Sequence, residues 1–358
     1  MSEQWIFQNI GIEHNDLVGK KCANLGEMRR ANLPVPTGFS LSLKAYKKFM
    51  AETGALDEVA GALKTFEADP DDVTHISRFD TISKTLRKIV DSKRMPVSMA
   101  QKIAEQYRRL LEDGCALNAA VAVRSAGVAS HPGQYETYLH VSGEDSVLKN
   151  IIRVWSSTFN ARSLIARARA GAPLESDPIG VAVLQMVDAK SAGVMFTLNP
   201  VNGDVSKICI GGCWGLGEAV VSGEVTNDQW LVDKVTLEII EREVAEKAKE
   251  CGVDTRCGGV AYLDIAPERQ CQPCLSDEEI IALAEHAKRV EKLFGVSQDI
   301  EWAIDRTLPF PGNIFIVQAR PETVWSKTKA KEKVDTRSMF GEYDLGCIIN
   351  QKARKERI

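Results

Sequence analysis

Glu301, Gln318 and Arg320 stand in the stretch "DIEWAIDRTLPFPGNIFIVQARPETV" (299–324), two apolar runs joined by a turn that carries proline and glycine. Alternation along a strand puts Asp299, Glu301 and Ala303 on one face and Ile300, Trp302 and Ile304 on the other. In the return run, Ile314, Ile316, Gln318 and Arg320 share a face opposite Phe315, Val317 and Ala319. A turn symmetric about Pro309–Phe310 sets Glu301 opposite Gln318 and Asp299 opposite Arg320, a register that a one-residue slip would undo. A carboxylate among buried residues needs a cation. The oxygen pair of Glu301 and Gln318 suits a magnesium ion, and the planar fork of Arg320 suits a phosphate. The same spacing also fits an ordinary Asp299–Arg320 cross-strand ion pair beside a solvated Glu301, and both readings stay open at this level.

Two further basic residues have phosphate-binding chemistry. In "VAVRSAG" (121–127), Arg124 ends an apolar run and is followed by small residues that let backbone N–H groups approach an anion. Lys21, in "GKKCANLGEM", opens a helical stretch whose dipole favours a phosphate. Each alone reads equally as a solvated surface cation. No GxxxxGK[ST] loop is present, and "GLGEAVVSG" (215–223) has too few glycines in register for a dinucleotide fingerprint. His131 lies in the small-residue loop, where a lone histidine reads as a turn residue. Cys271 and Cys274 form a CxxC without a second pair at zinc-ribbon spacing.

Helical patterning is expected at 20–31, through most of 55–113 and at 276–295, where a Ser cap, an acidic first turn and a closing Gly complete the signature. A buried strand, a loop and a second strand are expected over 118–141. Strands are also expected at "PIGVAVLQMV" and "SAGVMFTLNP", followed by a strand, turn, helix and strand from "ICIGGC" onward. A chain of 358 residues suggests two lobes or domains. Its net charge of −4 gives no case for nucleic acid or a membrane surface, and no signal peptide or transmembrane-length run is evident. Nine scattered cysteines suit a reducing cytoplasm.

These stretches occur in the order found in one family. The chain resembles, from about residue 15 to 325, the N-terminal nucleotide-binding part of phosphoenolpyruvate synthase and pyruvate phosphate dikinase. The resemblance implies an α+β fold of the ATP-grasp type, two lobes (1–180 and 181–325) clamping ATP between them, with 326–358 as a linker or partner-docking arm. It implies that Lys21, Arg124 and Arg320 bind the phosphates of ATP, Arg124 and Arg320 acting catalytically. Glu301 and Gln318 would hold Mg2+, and Gln185, Met186 and Val187, in "LQMV", would form the hinge beside adenine. Lys20 departs from the glycine usual in the family, the loop 124–137 has dikinase length with a synthase-like end, and the hairpin turn is longer than usual.

None of the five histidines stands in the family's phosphohistidine context, Thr/Ser–Ser/Cys–His among glycines. The resemblance therefore implies a partner subunit carrying a swivelling phosphohistidine domain. The split arrangement is most similar to phenylphosphate synthases, where a pyrophosphoryl group passes from ATP to that histidine and phenol, or another acceptor bound by the partner, is phosphorylated with release of AMP and phosphate. The alternatives are the ATP domain of a phosphoenolpyruvate synthase or rifampicin phosphotransferase, or a non-catalytic nucleotide sensor.

Overall fold

Five short runs of β-favouring residues build an antiparallel sheet in the order β1-β2-β5-β3-β4, from β1 (Ile6–Phe7), β2 (Gly38–Leu41), β3 (Val121–Ala126), β4 (Thr137–Val141) and β5 (Gly180–Gln185). The computed structural model describes residues 6–8, 10–113, 120–128, 134–223, 225–253 and 259–325. The chain divides into two compact units, Met1–Gly26 with Thr37–Met186, and Glu27–Pro36 with Val187–Ile358.

In the first unit the helices are α1 (Asn15–Val18), α2 (Lys20–Arg30, whose end belongs to the second unit), α3 (Leu43–Glu52), α4 (Ala55–Leu63), α5 (Ile76–Asp91), α6 (Val97–Asp113), α7 (Glu144–Ser156) and α8 (Ala161–Arg169). One face of the sheet carries Phe39, Leu41, Val121, Val123, Val181 and Val183, and these join the main core with residues of α3 to α8. Trp155 is its centre, fully buried with Phe49 at 5.0 Å between ring centroids and Tyr46 edge-on at 6.2 Å. Burial of each such side chain contributes about 1.5–3 kcal/mol. Cross-strand partners share a face, so the pairings Ser40–Ala182 and Ala182–Arg124 align these three residues on the other side of the sheet. Small residues there let backbone approach closely: a Cβ on Gly180 would lie 2.0 Å from the Val18 carbonyl oxygen. β5 hydrogen-bonds to β2 and β3 and so belongs with the first unit, whereas the sequence reading started a new lobe at residue 181.

The second unit is built on a six-stranded antiparallel sheet. It comprises β6 (Ala189–Phe196), β7 (Lys207–Trp214), β8 (Asp228–Asp233) and β9 (Ile239–Glu243), with β12 (Gln298–Asp305) and β13 (Ile314–Pro321), in the order β13-β12-β6-β7-β8-β9. A separate hairpin pairs β10 (Lys249–Val253) with β11 (Val260–Asp264), and the helices are α9 (Glu218–Ser222), α10 (Pro267–Gln270) and α11 (Asp277–Phe294). α11 starts where its sequence says it should. Ser276 accepts from the Glu279 N–H, the Glu279 carboxylate accepts from the Ser276 N–H, and Gly295 closes the helix at φ 69°. Its buried stripe of Leu283, Ala284, Ala287 and Val290 packs against β7, β8, β12 and β13.

One ion pair in this unit is fully enclosed. Lys247 and Asp228 are both 0% exposed and 2.6 Å apart. Asp228 also accepts from the N–H groups of Ala245 and Cys274, tying β8 to two distant segments. On α11, burial and the neighbouring Arg289 push His286 down to about 4. An unfolded histidine binds its proton near pH 6.5, so folding loses stability as pH falls from there toward 4. We expect His286→Gln to flatten that part of the stability–pH profile, as read by urea unfolding at pH 7 and pH 5; an unchanged slope would contradict the assignment.

Candidate functional site

The hairpin β12–β13 places its polar residues in pairs. Asp299 stands opposite Arg320 and Glu301 opposite Gln318. The Gln318 amide donates to Glu301 Oε1 at 2.8 Å, so the two side chains lie side by side. Arg320 donates to Asp299 Oδ2 through Nε at 3.0 Å, with its terminal nitrogen 2.9 Å from the same oxygen. The ion-pair reading of the spacing is met in part. The cross-strand ion pair forms, but Glu301 is half-buried and bonded to Gln318 rather than solvated.

The register carries one correction. The ladder shifts between Glu301 and Trp302, where Trp302 pairs with Ile316 and Val317 is left over. Strict alternation would have put Ile314 and Ile316 on the face of Gln318 and Arg320. The bulge changes the phase instead. Ile314 and Ile316 pair with Ile304 and Trp302 on an apolar face where all four are 1% exposed or less. Gln318 and Arg320 keep their places opposite Glu301 and Asp299. Trp302 is held by a close approach across the sheet, since a Cβ on Gly212 would meet its ring at 2.6 Å.

Asp299 is the residue that sequence reading left out of the site. It is 5% exposed and supplies the oxygen that orients the Arg320 fork. The signal was present in its spacing, two residues before Glu301 and opposite Arg320. As a donor set, a carboxylate and an amide oxygen are hard ligands that fit magnesium, which takes few protein ligands and fills its octahedron with phosphate oxygens and water. Among the described residues no group of three or more His, Cys, Asp or Glu is arranged to hold a metal.

In the first unit, the start of α2, which carries Lys21, is joined through backbone to the end of β3, the strand that carries Arg124. Gly19, at φ 86°, turns the chain into α2, and the Lys20 N–H donates to the Gly127 carbonyl at 2.9 Å just beyond β3. The Cys22 thiol is pushed up to about 11 by burial, while a bond to Ser40 and the charges of Lys21 and Arg124 act the other way. A Cβ on Gly19 would lie 2.0 Å from the Ala126 carbonyl oxygen, in a backbone region that only glycine occupies without strain. We expect Gly19→Ala to cost about 2 kcal/mol or more. An unchanged urea midpoint would refute the close approach.

Gln185 donates its N–H to the Thr37 carbonyl and Met186 donates to the Ala120 carbonyl, at 2.8 and 3.1 Å. The division between units falls after Met186, so Lys21, Arg124, Gln185 and Met186 belong to the first unit, and Val187, Glu301, Gln318 and Arg320 to the second. β7 and β8, on either side of "GLGEAVVSG", are antiparallel neighbours, which removes the parallel unit a dinucleotide fingerprint requires. Cys271 is exposed while Cys274 is buried, its thiol raised well above the usual range by burial. His131 and the segment 326–358 lie outside the described residues. Among those residues no helix is long and apolar enough to cross a membrane.

Residues 15–339 match the family model of the pyruvate phosphate dikinase AMP/ATP-binding domain. Among curated proteins, the chain is 39% identical over 349 residues to a probable phosphoenolpyruvate synthase of Staphylothermus marinus, covering 90% of this chain and 41% of that protein. It is 36% identical to the phosphoenolpyruvate synthase of Aeropyrum pernix, with 87% and 41% covered, and 34% identical to that of Pyrococcus furiosus, with 92% and 45% covered. The chain thus spans less than half the length of these relatives. A solved L-amino acid ligase from Bacillus licheniformis overlaps 77% of this chain and 56% of its own at 12% identity and a TM-score of 0.27, too slight a likeness to argue from.

Proposed function

The chain belongs to the pyruvate phosphate dikinase AMP/ATP-binding domain family, and from that premise we propose that it is the ATP-binding, phosphoryl-donating part of a phosphotransferase of the phosphoenolpyruvate synthase type. The observation that carries this reading is the double pairing of Glu301 with Gln318 and Asp299 with Arg320 on one face of the β12–β13 hairpin. The fold class is mixed α+β, and its assignment to the ATP-grasp type is part of the proposal.

In this reading Lys21, Arg124 and Arg320 bind the phosphates and offset negative charge as the transferring group moves. Asp299 orients Arg320. Glu301 and Gln318 would hold Mg2+, which supplies further charge neutralisation when bound. A histidine imidazole, on a phosphohistidine domain of the same or another polypeptide, forms an N–P bond at the β-phosphorus. The bridging P–O bond to the α-phosphate breaks and AMP leaves with that electron pair. Water then releases phosphate from the pyrophosphohistidine, and the remaining phosphoryl group passes to an acceptor. The names of the relatives point to pyruvate as that acceptor; phenol, expected from the likeness to phenylphosphate synthases, is the rival.

The test follows label from the β-phosphate of ATP in the presence of a phosphohistidine-domain protein. Label on histidine with matching AMP supports the donor role, and its onward passage to pyruvate or to phenol assigns the acceptor. Retention of ATP without transfer would favour a nucleotide sensor. We also expect Glu301→Gln to raise the Mg2+ needed for half-maximal ATP binding about tenfold, which is about 1.4 kcal/mol. An unaltered Mg2+ titration would remove Glu301 from the metal site.

A further inference from the structure

The corner formed by α5, α6 and α7 in the first unit holds a cavity of about 520 Å3 that none of the proposed nucleotide residues lines. Met95, Leu148 and Ile152 give it an apolar floor, while Lys93, Arg94, Lys149 and Arg153 give it a basic rim. Lys149 and Arg153 are four residues apart on α7 and so project together, as do Leu148 and Ile152. Lys93 and Arg94 come from the connection between α5 and α6, and Ala100 brings the first turn of α6, with its positive dipole end, to the same wall.

The charges are not evenly committed. Lys93 is bonded to Glu58 at 2.5 Å, and Arg153 reaches Asn150 and the Tyr138 ring. Asp91, which burial pushes above the usual carboxylate range, is the lone acidic residue in the lining. Arg94 and Lys149 project from the rim with no ion-pair partner among the described residues. The chain as a whole carries a net charge of −4, so this concentration of positive charge runs against its background. The volume falls in the range of small-molecule sites, roughly 300–1,000 Å3, and exceeds what a bare phosphate fills.

We propose that this cavity binds a small organic phosphate, its phosphoryl group held by Arg94, Lys149 and Arg153 and its apolar body laid on Met95, Leu148 and Ile152. Guanidinium forks and a lysine at the rim give charge-assisted bonds to phosphoryl oxygens, and the floor rewards a hydrophobic body that inorganic phosphate lacks.

The probe is 1-naphthyl phosphate, titrated calorimetrically into the full chain while a non-hydrolysable ATP analogue and Mg2+ saturate the nucleotide residues. We expect one equivalent to bind and the affinity to fall at least tenfold in Lys149→Ala/Arg153→Ala. Arg94→Ala should fall in the same direction, since its exposed side chain leaves the packing of α5 to α7 alone. Lys84→Ala, an exposed position on α5 outside the cavity, should bind as the parent does. Neutral 1-naphthol should not bind. Equal affinity in the double variant, absence of binding to the parent chain, equal binding of 1-naphthol, or preference for a glutamate-rich peptide over the phosphate would each overturn the proposal.

Discussion

Replacing Arg320 by Ala should lower ATP-dependent phosphoryl transfer, read as AMP formation with a phosphohistidine-domain protein, by about 10³-fold. The guanidinium is a quarter exposed and fixed by Asp299, which leaves a planar fork oriented before any nucleotide arrives. A preoriented charge needs no reorganisation when negative charge builds on the transferring group, and that is why its loss falls on the rate. The alanine variant also leaves Asp299, 5% exposed, beside an absent partner. Arg320→Lys separates the two effects. It keeps a positive charge near Asp299 and should keep the melting temperature within a few degrees, but a point charge cannot reproduce the fork, so transfer should still fall about 10–100-fold. Unchanged AMP formation in both variants would dismiss Arg320 from the chemistry.

A comparably large effect, on stability, is expected at Lys247. Removing one partner of a buried ion pair strands the other charge, at a cost of about 3–5 kcal/mol. Lys247→Met should therefore destabilise the chain by that amount and lower its melting temperature by roughly 10 °C, taking about 2–4 °C per kcal/mol for a unit of this size. Asp228 keeps its bonds from the N–H groups of Ala245 and Cys274, so those segments should stay attached but loosened. Adding Asp228→Asn removes the stranded charge but keeps an acceptor oxygen for only one of these two N–H groups, so the double variant should recover only part of the loss. Equal stability of Lys247→Met and the parent would show that the pair stabilises nothing.

Features written in neighbouring residues were legible before the fold was known. The start and end of α11 follow from Ser276, Glu279 and Gly295, whose capping bonds span only a few positions. The pairing of Glu301 with Gln318 and of Asp299 with Arg320 followed from counting outward from a turn. What stayed hidden depends on partners distant in sequence. Nothing in "IFIVQAR" marks Val317 as surplus, because every residue nearby favours a strand; the bulge is set by the need to bury Ile314 and Ile316 with Trp302. β5 reads as the start of a new lobe, yet its partner strands lie far upstream. The placement of residues 27–36 with the second unit rests on contacts such as the bond from the Ile316 N–H to the Pro34 carbonyl, 2.7 Å long. Lys247 sits in a polar run that looks solvated, and only Asp228 explains its burial.

The bulge at Val317 also makes the hairpin a convenient place for protein engineering. The polar pairs stand at the open end of β12–β13, the surplus residue comes next, and the exposed turn 306–312 closes the far end. From Glu301 to Asp305 the strand runs about 13 Å at about 3.3 Å per residue. A peptide tag, a fluorophore attachment point or a tether to a phosphohistidine domain could be spliced into that tip. The strands would carry the graft while the Glu301–Gln318 and Asp299–Arg320 pairs stayed in register.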